Sequence, residues 1–316
     1  MARSGSTDYS VTRSTIITQA FKRARIYGPG DTLDSDDEAD AVIELNLMIK
    51  KDLASGLHLW AIEEGVLPLV LSQEKYQLGG TSGDEATTAA DWNKTECETA
   101  ADSGDGTIDV DSITGIADGD YIGIELDGGD LQWTTVNGDP AGSTVTLTDN
   151  LTDDVAVDNH VYSFTTYIER PVRILPDTIR LEGEDGTETP VYMVERSRYM
   201  SIPDKSTQGK TNLVYPDRQY TFMDLYTWPT CEDVKDVLLF SFERTLQDMD
   251  ATANNPDYPI EAVDYLIDGL AARLGRIFGV PESRKKELCA LAEISKEEWE
   301  DHDTEQGSTY IYPDLS

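Results

Sequence analysis

Apolar residues Ile16, Ile17, Ala20, Phe21 and Ala24 recur at helical spacing between Thr12 and Tyr27, and Gly28-Pro29-Gly30 stops the run, which predicts an amphipathic helix. A second helix is predicted from Ser35-Asp36-Asp37-Glu38, a capping box in which the Ser35 hydroxyl accepts from the Glu38 amide while the Glu38 carboxylate accepts from the Ser35 amide. Its stripe is Val42, Leu45, Ile49 and Leu53, and Gly56 supplies a left-handed residue to end it. The run Val66-Leu67-Pro68-Leu69-Val70-Leu71 is short and branched, and reads as a strand.

The pattern changes at Gly79-Gly80. Short alternating runs follow at Thr107–Val110, Tyr121–Leu126, Leu131–Val136, Ser143–Leu147 and His160–Phe164, separated by turn signals such as Asp118-Gly119-Asp120 and Asn137-Gly138-Asp139-Pro140. Strands of this length and spacing predict a small sandwich or barrel. Further strands are predicted at Arg173–Leu175, Thr178–Leu181, Pro190–Val194 and Arg218–Phe222. The polar stretch Asp204–Lys210 is predicted as a long loop with a functional role or ordered by a partner.

Helical periodicity then returns. Thr230 is read as the N-cap of a helix through Val234, Val237, Leu238, Phe242 and Leu246, broken at Asn254-Asn255-Pro256. Pro259 opens a helix faced by Val263, Leu266, Ile267, Leu270, Leu274 and Phe278, because a missing amide proton costs nothing at the first helical position. A last helix runs through Leu288, Leu291 and Trp299, and Thr304 to Ser316 has no period and is predicted as an extended arm. The expected fold class is α+β: a helix-rich domain made from both chain ends (1–79 and 166–303), an inserted acidic all-β domain (80–165) and the arm 304–316.

Composition narrows the chemistry. The 316 residues carry a formal charge of -36, and Lys94 is the only Lys or Arg between Thr81 and Thr165, so tight phosphate contact by that stretch is not expected. No run approaches the ~20 apolar residues that span a bilayer, so a soluble protein made in the cytoplasm and without membrane contact is expected. Cys97, Cys231 and Cys289 lack C-x-x-C spacing and are read as reduced, partly buried side chains. His58, His160 and His302 do not pair at zinc spacing, and neither G-x-S-x-G nor a Walker glycine loop is present. The stretch Ala101–Gly106 resembles a calcium loop, but aligning Gly106 with the sixth position leaves Ser112 where the bidentate acid belongs. No catalytic residue, metal or cofactor is expected, and the chain reads as an assembly part rather than an enzyme. Aromatics Trp60, Trp228, Phe240 and Phe242 are expected in cores, whereas Tyr310, Ile311, Tyr312 and Pro313 lie on an arm too short to build its own core and are the candidate partner-binding residues.

The run TQAFKRARIYGPGDTLDSDDEADAVIELNLMIKKDLASGLHLWA resembles the opening helical hairpin of head-to-tail adaptor proteins of tailed phages, in particular the tail accessory factors of short-tailed phages. IPDKSTQGK, the Trp228-Pro229 step, Gln247-Asp248 and PIEAVDYLIDGLAARLGRIFGV agree with it. The resemblance covers the two ends of the chain and not the β insert. It implies a virion protein of the neck that forms a ring of twelve, docks on the portal protein, extends the DNA channel without binding DNA specifically and meets the tail or nozzle proteins. The family uses the helical part for the ring and C-terminal segments to grip the portal, a role the Tyr310–Pro313 arm suits because an extended peptide offers main-chain hydrogen bonds and alternate side chains. Two other classes stay open on the residues alone. One is a tail decoration or host-surface-binding protein acting through the β-domain; the other is a cell-wall hydrolase with a carboxyl of raised pKa.

Overall fold

The computed structural model describes residues 9–54, 56, 58–79 and 83–304. The chain enters with helices α1 (Arg13–Ala24) and α2 (Ser35–Asp52). Strands β1 (Ile62–Pro68), β2 (Lys75–Leu78), β3 (Thr87–Thr88), β4 (Asn93–Glu96), β5 (Thr107–Asp109), β6 (Tyr121–Glu125), β7 (Leu131–Thr135), β8 (Thr144–Thr146) and β9 (His160–Phe164) follow. Then come β10 (Arg173–Ile174), β11 (Arg180–Glu182), β12 (Glu188–Pro190), β13 (Tyr192–Met193), the short helix α3 (Arg196–Met200), β14 (Leu213–Arg218), β15 (Met223–Trp228) and β16 (Val237–Glu243). Helices α4 (Val263–Ile277) and α5 (Glu282–His302) complete the order. The class is α+β, with helices from both chain ends packing together and a β-rich region of several sheets between them in sequence.

Two compact units divide the chain: residues 1–61 with 246–316, and residues 62–245. This division groups residues 62–79 and 166–245 with the strands, whereas the sequence pattern joins them to the helices. Among the described residues, no helix is long and apolar enough to cross a membrane.

In the helical unit, α1 starts where the Thr12 hydroxyl accepts from the Thr15 amide and stops where Arg25 turns left-handed at φ 60°. Its predicted stripe Ile16, Ile17, Ala20, Phe21 and Ala24 is fully buried. The α2 start differs from the expected capping box: the Asp34 carboxylate, not the Ser35 hydroxyl, caps the helix by accepting from the Asp36 amide at 2.9 Å. Nor does Gly56 end it, because the helix closes at Leu53 in a right-handed conformation. α4 buries Leu266, Leu270 and Leu274 completely, and Phe278 just beyond it meets Phe21 edge to face at 5.3 Å.

The expected helix after Thr230 is instead strand β16. Its Val237, Leu238, Phe240 and Phe242 match helical and alternating spacing almost equally well, and partners on both sides decide the outcome. β1 pairs antiparallel with it from Ile62↔Glu243 to Pro68↔Val237, and β11 and β10 take its other edge. The six-stranded sheet runs β12-β11-β16-β1-β3 with β10 added on β16, and a four-stranded sheet runs β13-β14-β15-β2. Leu67, Tyr76, Leu78, Leu225, Phe240 and Phe242 are among the residues that close the core shared by these two sheets. Gly65 faces Phe240 across the ladder, where a Cβ would meet that ring at 2.7 Å, so only glycine fits.

The expected strands between 107 and 164 are present as β5 to β9, within a residue or two of their predicted bounds. They form a four-stranded sheet β4-β9-β6-β7 and the ribbon β5–β8 around a separate core that includes Ile108, Ile122, Ile124, Val145 and Val161. The polar strand β4, Asn-Lys-Thr-Glu, carries no apolar alternation and is not predictable from pattern. At the neck of this segment the Asp91 carboxylate accepts from the Thr166 amide at 2.7 Å, its hydroxyl at 2.8 Å and the Thr165 amide at 3.2 Å. Partial burial pushes the Asp91 carboxyl up, but these hydrogen bonds outweigh it and hold the group below the usual carboxylate range.

Candidate docking surface of the helical unit

Among the described residues, a groove of about 490 Å³ lies in the helical unit with α2 on one side, α5 on the other and α4 as its floor. Met48 from α2, Gly269 and Ala272 from α4, and Cys289 and Ala292 from α5 give it an apolar base. Gly269 lets α2 approach, since a Cβ there would lie 2.7 Å from the Met48 sulfur. The rim is charged: Arg273 reaches across to Glu44 at 3.1 Å, and Lys51, Arg276 and Lys296 line the same opening.

A buried polar knot anchors one end. Asp52, the last residue of α2, accepts from the Tyr258 hydroxyl at 3.0 Å and from the Tyr265 hydroxyl at 2.6 and 2.7 Å. Burial first, and then the charge of Asp52, push both phenols well above their ordinary value, so they remain donors. A smaller cavity of about 210 Å³ adjoins the knot, lined in part by His58, Trp299 and Asp303, with His58 Nδ1 3.6 Å from the Asp303 carboxylate and Nε2 3.1 Å from the Asp52 carbonyl. Two tyrosines and a histidine converging on one residue lock the α2 end, the segment before α4 and the α5 end into one geometry. The carboxylate is engaged by hydroxyl donors, which suits positioning of surfaces.

The β-rich unit contributes two clusters of titratable groups. Burial first, then Lys94, hold His160 below its usual value; its Nε2 lies 3.6 Å from Glu96 and its Nδ1 3.7 Å from Glu125. Elsewhere an acidic cavity of about 520 Å³ is lined by Glu184, Asp185, Lys210, Glu232, Asp233 and Asp236. Asp236 is 3% exposed, and burial pushes its carboxyl up to about 6, with Lys210 opposing and Asp233 and Glu232 adding to the rise. Among the described residues, no group of three or more His, Cys, Asp or Glu is placed to hold a metal ion.

Several residues singled out in the sequence have definite places. Tyr310, Ile311, Tyr312 and Pro313 lie outside the described residues. Trp60 packs against Tyr258 at 4.9 Å, and Phe240 and Phe242 are buried, as expected. Trp228 is half-buried, and its indole donates to the Asp204 carbonyl at 2.9 Å. That bond helps correct the expected partner-ordered loop at Asp204–Lys210, which the chain's own groups hold. The Asp204 carboxylate accepts from Ser206, the Gly209 amide donates to the Thr230 carbonyl, and Gln208 donates to the Ser72 hydroxyl at 2.5 Å. In the calcium-like stretch, the Asp105 carboxylate accepts from the Asp102 amide within its own turn. Cys97 and Cys231 are buried, which pushes both thiols up to about 12.

Sequence reasoning misses the outward apolar positions. Of the apolar residues through which the last helix is expected to run, Leu291 is 42% exposed, while Leu288 and Trp299 are buried. On α2, Ile43 and Leu47 fall outside the Leu45–Ile49 stripe and are 58% and 54% exposed. A second apolar face on one helix is the available signal.

No family model matches the chain, and no curated protein is found similar to it. Among solved structures, the chain is similar over 25% of its length to the Gp54 tailspike of Acinetobacter baumannii bacteriophage AP22 in complex with A. baumannii capsular saccharide. The match has 14% identity and a TM-score of 0.21, and it spans 16% of the tailspike chain.

Proposed function

We propose that this chain is a structural virion protein, a head-to-tail adaptor that forms a ring on the portal of a short-tailed phage and continues the DNA channel toward the tail. The observation that carries this reading is the joint helical unit. Described residues between Val11 and Ala61 and between Leu246 and Trp299 form one core, in which α1, α2 and α4 interlock, and these stretches hold most of the segments that resemble the adaptor family. The inserted β-rich unit is then a decoration carried by the ring, and the chain has no catalytic task. The Tyr310–Pro313 arm grips the portal, twelve copies complete the ring, and tail or nozzle proteins meet its far side.

Purified chain mixed with its portal and viewed by electron microscopy tests the reading. A ring seated on the portal with an axial channel is the expected result. Absence of any portal complex, or a trimer binding host surface polysaccharide, would replace it with the tail-decoration reading.

A further inference from the structure

The acidic cavity of the β-rich unit contains a carboxylate that nothing in the chain answers. Asp236, 3% exposed, lines it from the segment that leads into β16. Main-chain bonds fix its place: its amide donates to the Asp233 carbonyl at 3.1 Å, and its carbonyl accepts from the Leu69 amide at 3.2 Å. Among the described residues, the Asp236 carboxylate makes no hydrogen bond and no ion pair. Burying a carboxylate without a partner is costly, so an unanswered one at the inner end of a cavity points to something that enters.

The acids around it lie at the mouth. Glu184 and Asp185, on the turn between β11 and β12, are exposed, as are Glu232 and Asp233. Glu184 holds Lys235 at 2.6 Å, and the Asp185 carboxylate accepts from the Thr187 amide and hydroxyl at 3.0 and 2.9 Å. Lys210, the one ammonium that lines the cavity, closes on none of these acids among the described residues. The groups nevertheless converge. A Cβ on the buried Gly183 would lie 3.6 Å from Asp236 Oδ1 and 3.8 Å from both Asp185 Oδ1 and Lys210 Nζ.

Among the described residues, no group of three acids is placed to hold a metal ion. Carboxylates spread from the inner end of a cavity of about 520 Å³ to its mouth suit a cation that carries its charges apart on a flexible chain. We propose that this cavity binds an alkyl polyammonium ion, with one ammonium donating to Asp236 and the next meeting Asp185, Glu232 and Asp233 at the mouth. Each ammonium brings three donors and no acceptor, and its bonds to carboxylates are charge-assisted. A lone lysine side chain would bring one charge to five carboxylates that face only Lys210 and Lys235. Burial keeps a proton on Asp236 up to about pH 6, with Lys210 opposing and Asp233 and Glu232 adding to the rise, so the site fills above that value.

Calorimetric titration of the full-length chain with spermidine at about pH 7.5 and ~0.15 M salt, where distant surface charges are screened, tests the proposal. One spermidine should bind per chain. Asp236→Asn keeps the shape and should weaken binding about tenfold or more, the worth of a hydrogen bond to a charged group. Asp139→Asn, exposed and outside the cavity, should leave it unchanged. Butylamine, with a single ammonium, should bind at least about tenfold more weakly than spermidine. Between pH 7 and pH 5 the wild-type affinity should fall more steeply than that of Asp236→Asn, because only the wild type must lose a proton there. No binding, or equal binding by the two variants, would leave only the general charge of -36 and overturn the site. Butylamine as tight as spermidine would overturn the polyammonium assignment, and displacement of spermidine by equimolar Mg2+ would overturn it in favour of a metal. Each of these outcomes leaves the adaptor reading untouched.

Discussion

At the scale of single residues, two buried carboxylates have opposite consequences. Asp52 is surrounded by hydroxyl donors, so Asp52→Ala leaves Tyr258 and Tyr265 without their acceptor inside the protein. Loss of about 2–4 kcal/mol is expected, read by urea unfolding with tyrosine fluorescence. Asp236 is buried among other acids, and its carboxyl rises from an ordinary 3.8 to about 6 in the fold. The folded chain therefore binds a proton that the unfolded chain has released between these values, and stability falls as pH rises from about 4 to about 6. Above that window the ionised group costs the fold up to about 2–3 kcal/mol, which Asp236→Asn removes. Thermal melts should show the variant more stable than wild type at pH 7 and equal to it below about pH 4. Equal melting curves at both pH values would mean that the charge is relieved in another way.

At the scale of elements, α2 gives a direct comparison of two neighbouring caps. Asp34→Ala removes the acceptor for the Asp36 amide and the negative charge beside the helix N-terminus, at an expected cost of about 1 kcal/mol, whereas Ser35→Ala should change stability by only a few tenths. Guanidinium unfolding of the two variants separates these outcomes. The sequence contains Ser35-x-x-Glu38, and nothing in its pattern says that the residue before it takes the capping role. The stripes of α1 and α4 are readable because their apolar residues have one period and one core to meet. β5 to β9 are readable because turn residues isolate each alternating run. β16 defeats the pattern for a physical reason: Val237, Leu238 and Phe242 satisfy a 3.6-residue period, and only pairing with β1, more than 160 residues away in sequence, selects the strand. The groove above α4 is equally hidden. Its base depends on Gly269 and Met48 meeting across helices, and its polar knot on Asp52 meeting two tyrosines more than 200 residues later.

At the scale of the whole molecule, the charge of -36 decides what kind of surface a DNA channel through this protein would have. Several cations of the β-rich unit are held by acids: Lys235 lies 2.6 Å from Glu184, Arg173 2.6 Å from Glu243 and Arg244 2.9 Å from Glu63. Lys94, alone among the many acids of its stretch, lines a cavity with Glu64, Glu182 and Glu188. Guanidinium and ammonium groups already neutralised in this way are poor partners for a phosphate, and phosphate contacts supply most non-specific DNA affinity. At ~0.15 M salt the remaining carboxylates act over ~8 Å, close enough to repel a duplex passing beside them but not to act across a wide channel. The full-length chain, free or assembled, should therefore show no retained duplex in a fluorescence anisotropy titration at moderate salt, and no slope of affinity against salt concentration. Binding that is tight at low salt and falls steeply as salt is added would reveal several phosphate contacts, and the acidic channel wall would have to be abandoned.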